Sequence, residues 1–171
     1  MNIFRSNSLI CLVSIFFIFF SGCGYNLRDE VSGLNGQIIS ISFETSDLNL
    51  NLIDQLRKHG KVDKIYLNEV REDCDLFLNI IEHKTLRYSA ALGYGARTKE
   101  ARLEYFLKIG LKEIGSNKEV ILEIKDSANY SFDESRILAI EEIEKQLKRE
   151  FLRKAIGRIN FSLLSNFYED I

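Results

Sequence analysis

The stretch ARLEYFLKIGLK, Ala101 to Lys112, alternates more cleanly than any other part of the chain. Ala101, Leu103, Tyr105, Leu107, Ile109 and Leu111 fall on one side, and Arg102, Glu104, Lys108 and Lys112 on the other. A period of two over twelve residues predicts a long strand with one face buried and one face in water. Leu76 to Tyr88 precedes it as a second long strand, with Leu76, Leu78 and Ile80 on one face. Between them runs the turn-rich SAALGYGARTKE, Ser89 to Glu100, and after them Gly115-Ser116-Asn117 leads into Glu119 to Lys125, where Val120, Leu122 and Ile124 face one way. Three sequential strands joined by short turns pair antiparallel, because a parallel pair needs a crossover of a dozen or more residues.

Upstream, Gly36 to Glu44 alternates Ile39, Ile41 and Phe43 against Ser40, Ser42 and Glu44 and predicts a further strand. Ser46 is placed to cap a helix carrying Leu48, Leu52, Ile53 and Leu56 at helical spacing, stopped by Gly60. Val62 to Leu67 reads as either a short strand or an irregular edge. Downstream, Ser131 and Glu134 have capping-box spacing. Ile137, Ile140, Leu147, Phe151, Ala155, Ile159 and Leu163 then recur at three- and four-residue steps, with Ile143 in the gap, so one amphipathic helix runs to about Asn166. The expectation is an α+β two-layer sandwich in the order β-α-β-β-β-α. Its mostly antiparallel four-stranded sheet carries both helices on one face.

The beginning of the chain is different in kind. Met1 to Ser8 carries one cation, Arg5, and Leu9 to Phe20 is apolar except for Ser14, too short for the roughly 20 residues of a spanning helix. Residues 1–22 therefore read as a signal peptide. Phe20-Ser21-Gly22-Cys23 resembles a lipobox, which implies a diacylated Cys23 as the first mature residue. Two or three acyl chains hold a protein lastingly without a spanning helix. Residues 23–35 are expected to be a lipidated tether and 36–168 the folded domain. Gly24 follows the cysteine, where Asp is the inner-membrane retention signal for such proteins; outer-membrane anchoring on the periplasmic side is implied.

Removing the signal leaves about 150 residues, enough for one domain with a real core. The formal charge of −2 becomes one unit more negative with the loss of Arg5, so no cationic excess points to nucleic acid. Cys11 leaves with the signal and Cys23 takes lipid; Cys74 has no partner and reads as a small buried hydrophobe. No enzyme is expected. His59 and His83 read as solvent-exposed, no HExxH, CxxC or GxSxG spacing occurs, and Gly93-Tyr94-Gly95 reads as a hairpin turn because it lacks the remainder of a phosphate loop. Asp73 and Asp75 lack a histidine beside them, and neither a metal nor a cofactor is expected beyond the lipid on Cys23.

The chain's landmarks resemble the LptE family, the lipopolysaccharide-assembly lipoproteins of the outer membrane. These are Cys23 with Gly24-Tyr25-x-Leu27-Arg28, the Gly95-x-Arg97 loop running into Glu104-Tyr105, and Tyr130-x-x-Asp133 opening a helix with Ala139-x-x-Glu142. The order and spacing extend from Cys23 to about Leu164. The chain departs from the family at Ala128-Asn129, where members often carry Arg. The resemblance implies a plug and assembly partner for the large LptD barrel, and binding of lipopolysaccharide in transit to the outer leaflet. The alternative is a tethered periplasmic adapter or scaffold of another envelope transport complex. Lys84, Arg87, Arg97, Lys99 and Arg102 fall on the central hairpin and Lys125 on the strand beside it. Guanidinium and ammonium groups suit the phosphates of a lipid A-like glycolipid; edge cations that resist strand-to-strand aggregation are the competing reading.

Overall fold

The computed structural model describes residues 33–94, 98–116 and 118–167. The signal, Cys23, most of the tether and Arg97 lie outside the described residues. The elements are β1 (Ile38–Ser42), α1 (Asp47–His59), β2 (Lys64–Leu67), β3 (Leu76–Leu92), β4 (Thr98–Glu113), β5 (Glu119–Ser131), a 3-10 turn (Glu134–Arg136) and α2 (Ile137–Phe167).

The strand built on Ala101 to Lys112 sits next to one edge of the sheet, yet it carries the core. All six of its predicted inward residues are buried, together with Leu76, Leu78 and Ile80 of β3 and Ile124 of β5. β3, β4 and β5 form the expected antiparallel meander, with Leu78 opposite Leu111 and Leu103 opposite Ala128. β3 and β5 run past the predicted ends at Tyr88 and Lys125 because both continue to pair with β4.

The sheet has five strands, not four, in the order β2-β1-β3-β4-β5. The four residues of β2 pair parallel to β1, and β1 pairs parallel to β3. Two of the four pairings are therefore parallel, and the sheet is mixed. The crossover through α1 makes this possible, since it supplies the length that a parallel return needs. Helix α1 starts and stops where its sequence says. The Ser46 hydroxyl accepts from the Asn49 amide at 3.2 Å, and the Gly60 amide donates to the Leu56 carbonyl at 2.8 Å.

Folded structure reaches further toward the N-terminus than the expected boundary at residue 36. Leu34 is fully buried in the core, and a Cβ at Gly33 would lie 3.0 Å from the Leu163 Cβ. Gly36 then turns the chain at φ 73°, a left-handed conformation that favours glycine.

α2 departs from expectation at its start. Ser131 does not cap it, because the backbone of Ser131 is committed to β5 opposite Glu100. Asp133 takes over, accepting from the Ser135 amide at 3.0 Å and its hydroxyl at 2.7 Å, and one 3-10 turn precedes the α-helix. Ile140, Phe151, Ala155, Ile159 and Leu163 are buried as the spacing predicts, but Ile137 is 54% and Ile143 40% exposed. Leu152 and Ile156 are buried in addition. From Phe151 onward the helix has two buried rows, while its first half buries only Ile140.

Candidate functional site on the open sheet face

Both helices pack on the same face, α1 against β3 and α2 against β4 and β5, and among the described residues the other face of the long strands is open. A β-bulge between Ile80 and Glu82 decides what that face displays. It shifts the alternation of β3, so that Glu82, Lys84, Leu86 and Tyr88 stand opposite Lys108, Phe106, Glu104 and Arg102. On the other side of β4, Lys125 stands opposite Phe106 and Ser127 opposite Glu104.

A shallow groove of about 630 Å³ opens on this face, lined by Lys84, Leu86, Arg102, Phe106, Lys125 and Ser127 among others. Phe106 is its aromatic floor. The Lys84 ammonium lies 5.3 Å and the Lys125 ammonium 5.5 Å from the ring centroid, inside cation–π range. The rim is held by ion pairs: Lys84 to Glu82 at 2.5 Å, Arg102 to Glu104 at 3.4 Å and Lys125 to Glu123 at 3.8 Å. Lys108 also reaches Glu123, at 3.0 Å, and its hydrogen bond holds that carboxyl below the usual carboxylate range. Arg102 donates to the Ser127 hydroxyl at 2.8 Å. Lys84 and Lys125 are thus presented over an aromatic ring and Arg102 beside them, each with a nearby carboxylate that an incoming phosphate would have to displace.

The structure divides the five predicted cations that it describes, Arg97 lying outside the described residues. Lys84, Arg102 and Lys125 converge on the groove. Arg87 faces the helices: it donates to Glu144 at 3.1 Å and lies 5.6 Å from the Phe132 ring. Glu144 raises the guanidinium's affinity for its proton, chiefly by that hydrogen bond. The Tyr130 hydroxyl donates to the same carboxylate; burial, followed by this bond, pushes its pKa up to about 12. Lys99 belongs to a separate recess at the hairpin end, with Thr98, Phe132 and Asp133. Phe106 and Leu86 are the residues that sequence reading passed over. Phe106 interrupts the polar series Arg102, Glu104, Lys108, and an apolar residue on a water-facing register was the available signal.

His83 corrects an expectation. It sits against the helices, its Nδ1 lies 2.6 Å from the Asn49 Oδ1, and its ring meets Tyr105 edge to face at 5.3 Å. Its Nε2 and the Tyr105 hydroxyl are buried and have no hydrogen-bond partner among the described residues. Burial lowers the His83 pKa to about 4 and raises that of Tyr105. Cys74 is buried and free, as expected of a small hydrophobe, and His59 is exposed. No described helix is long and apolar enough to cross a membrane.

No family model matches the sequence, and no curated protein matches it. Solved structures do. Rare lipoprotein B from Shewanella oneidensis superposes with a TM-score of 0.57 at 22% identity, covering 77% of this chain and 95% of that one. Lipoprotein B from Nitrosomonas europaea gives 0.56 at 18% identity, over 85% and 96% of the two chains. A minor lipoprotein from Acinetobacter baumannii gives 0.51 at 18% identity, over 78% and 94%. All three are named as lipoproteins and none as an enzyme. The five-stranded mixed sheet with two helices on one face is thus the fold of these lipoprotein B structures, matched over most of the chain.

Proposed function

We propose that this protein is an outer-membrane lipoprotein, anchored through lipid on Cys23, which serves as plug and assembly partner of an LptD-type barrel and binds lipopolysaccharide on its way to the outer leaflet. The observation that carries the reading is the match of the whole domain to lipoprotein B structures that are covered almost end to end. The groove supports it. Lys84, Arg102 and Lys125 offer three cations to phosphates, and Phe106 with Leu86 offers an apolar floor to acyl chains or sugar faces. Arg97 and Lys99 would add contacts from the hairpin end, whereas Arg87 is already engaged by Glu144.

Two measurements test the proposal. Labelling of cells with a radioactive fatty acid should mark the wild-type protein and not Cys23→Ser; an unlabelled wild type in the inner-membrane fraction would overturn the anchor. Lipopolysaccharide binding by the full-length protein should weaken about tenfold, roughly 1.4 kcal/mol, when Lys84, Arg102 and Lys125 are all changed to Glu. Equal affinity would remove the groove from the account, and loss in Arg97→Glu with Lys99→Glu instead would move the contact to the hairpin end.

A further inference from the structure

The chain enters its folded part against a cationic turn. Arg57, Lys58, Lys61 and Lys64 stand within eight residues that hold one acid, Asp63, so this stretch carries a formal charge of +3 in a chain whose total is −2. All four cations are exposed. Lys58 pairs with Asp54 at 2.7 Å and the Lys64 ammonium lies 4.5 Å from the Tyr66 ring centroid, while Arg57 and Lys61 have no ion-pair partner among the described residues. Arg57 and Lys58 close the last turn of α1, where cations are ordinary partners of the helix dipole. That explanation does not extend to Lys61 and Lys64, which lie beyond the helix. Lys61 moreover holds φ 52°, a left-handed conformation that falls by preference to glycine or asparagine.

This turn is bonded to the start of the domain. The Gly36 amide donates to the Lys61 carbonyl at 3.0 Å and the Asp63 amide to the Gln37 carbonyl at 3.1 Å. Gly60 lies between Val62 and Leu34, and a Cβ there would come within 3.0 Å of the Val62 Cγ2 and 3.5 Å of the Leu34 Cδ1. The segment leading from Cys23 therefore joins the domain beside the cations. Ten residues separate Cys23 from Gly33, a reach of about 35 Å at full extension. The hairpin end lies at the opposite end of β4, whose 16 residues measure about 54 Å.

The inference rests on the lipid anchor proposed for Cys23. In every orientation such a tether holds the cationic turn within about 35 Å of the headgroups around the acyl chains. Tethering makes the local headgroup concentration high, so that a few cations suffice where free diffusion would need many. Acyl chains joined to a basic patch are a general two-part mode of membrane attachment. We infer that the turn from Arg57 to Lys64 docks on anionic phospholipid headgroups beside the acyl anchor, as a second, electrostatic contact with the membrane.

The test uses the purified full-length protein with its lipid, reconstituted into vesicles of phosphatidylcholine alone or of phosphatidylcholine mixed with phosphatidylglycerol. Both should carry the protein on flotation, through the acyl chains. An amine-acetylating reagent then labels exposed lysines, read by mass spectrometry. Labelling of Lys58, Lys61 and Lys64 should fall about fivefold where phosphatidylglycerol is present, the factor that one cation gains near an anionic surface. Lys99 and Lys145 should label equally in both vesicles, and high salt should restore the labelling of the turn. In Arg57→Glu with Lys61→Glu, labelling of Lys58 and Lys64 should no longer respond to phosphatidylglycerol. Failure to float with phosphatidylcholine would overturn the anchor, and the two-part attachment with it. Flotation with equal labelling of the three lysines in both vesicles would overturn the cationic contact alone. The same protection from inorganic phosphate added to phosphatidylcholine vesicles, or protection undiminished by the double substitution, would do so too.

Discussion

His83 and Tyr105 show how one residue pair constrains behaviour without touching a ligand. Both place polar atoms in the core without partners among the described residues, Nε2 and the hydroxyl respectively. Tyr105→Phe removes a buried group that makes no bond, while the ring keeps its contacts with His83 and Phe151. Thermal unfolding should therefore show unchanged or higher stability, by up to about 1 kcal/mol; a clear loss would reveal a bond to the hydroxyl. His83 carries a pH signature. Its native pKa of about 4 lies below its ordinary 6.5, so between these values the unfolded chain binds a proton that the native chain refuses. The stability of the neutral form is fully present above about pH 6.5 and lost as the pH falls toward 4. In His83→Phe that part of the decline in Tm should vanish, measured as the difference between the two melting profiles.

At the scale of elements, the sequence was most legible where one periodicity met one surface. β4 is such a case: its six inward residues were readable because every one of them is buried. α2 was legible as a helix and less so as a surface, since Leu152 and Ile156 are buried as well and α2 touches α1 in addition to the sheet, which period alone does not announce. β2 is four residues long and depends on parallel pairing to β1, a tertiary contact with little local pattern. The bulge at Ile80/Glu82 was invisible because the sequence stays strand-like across it, and it is what sends Arg87 to the helices and Lys84 to the groove. The start of the domain gives the sharpest element-scale test. Leu34, which a polar tether would leave in water, should cost about 2–5 kcal/mol on truncation to alanine, read by chemical denaturation. A change below about 0.5 kcal/mol would mean that the segment is dispensable.

For the whole molecule, the division of faces matters most. One face is covered by two helices and the other presents Lys84 and Lys125 over Phe106, at the same time paired with Glu82 and Glu123. That balance predicts salt sensitivity: exposed pairs are screened within about 8–10 Å at ordinary ionic strength, so lipopolysaccharide binding through the groove should weaken as salt rises. Phe106→Ala should weaken it at all salt concentrations, because the aromatic floor is not screened. A Phe106→Ala protein with wild-type affinity would restrict the contact to the charges. The most direct test of the central claim is affinity purification of the full-length protein from detergent extracts of its own cells, with the captured proteins identified by mass spectrometry. The account predicts a large outer-membrane β-barrel as the dominant partner; a periplasmic or inner-membrane protein in its place would contradict it.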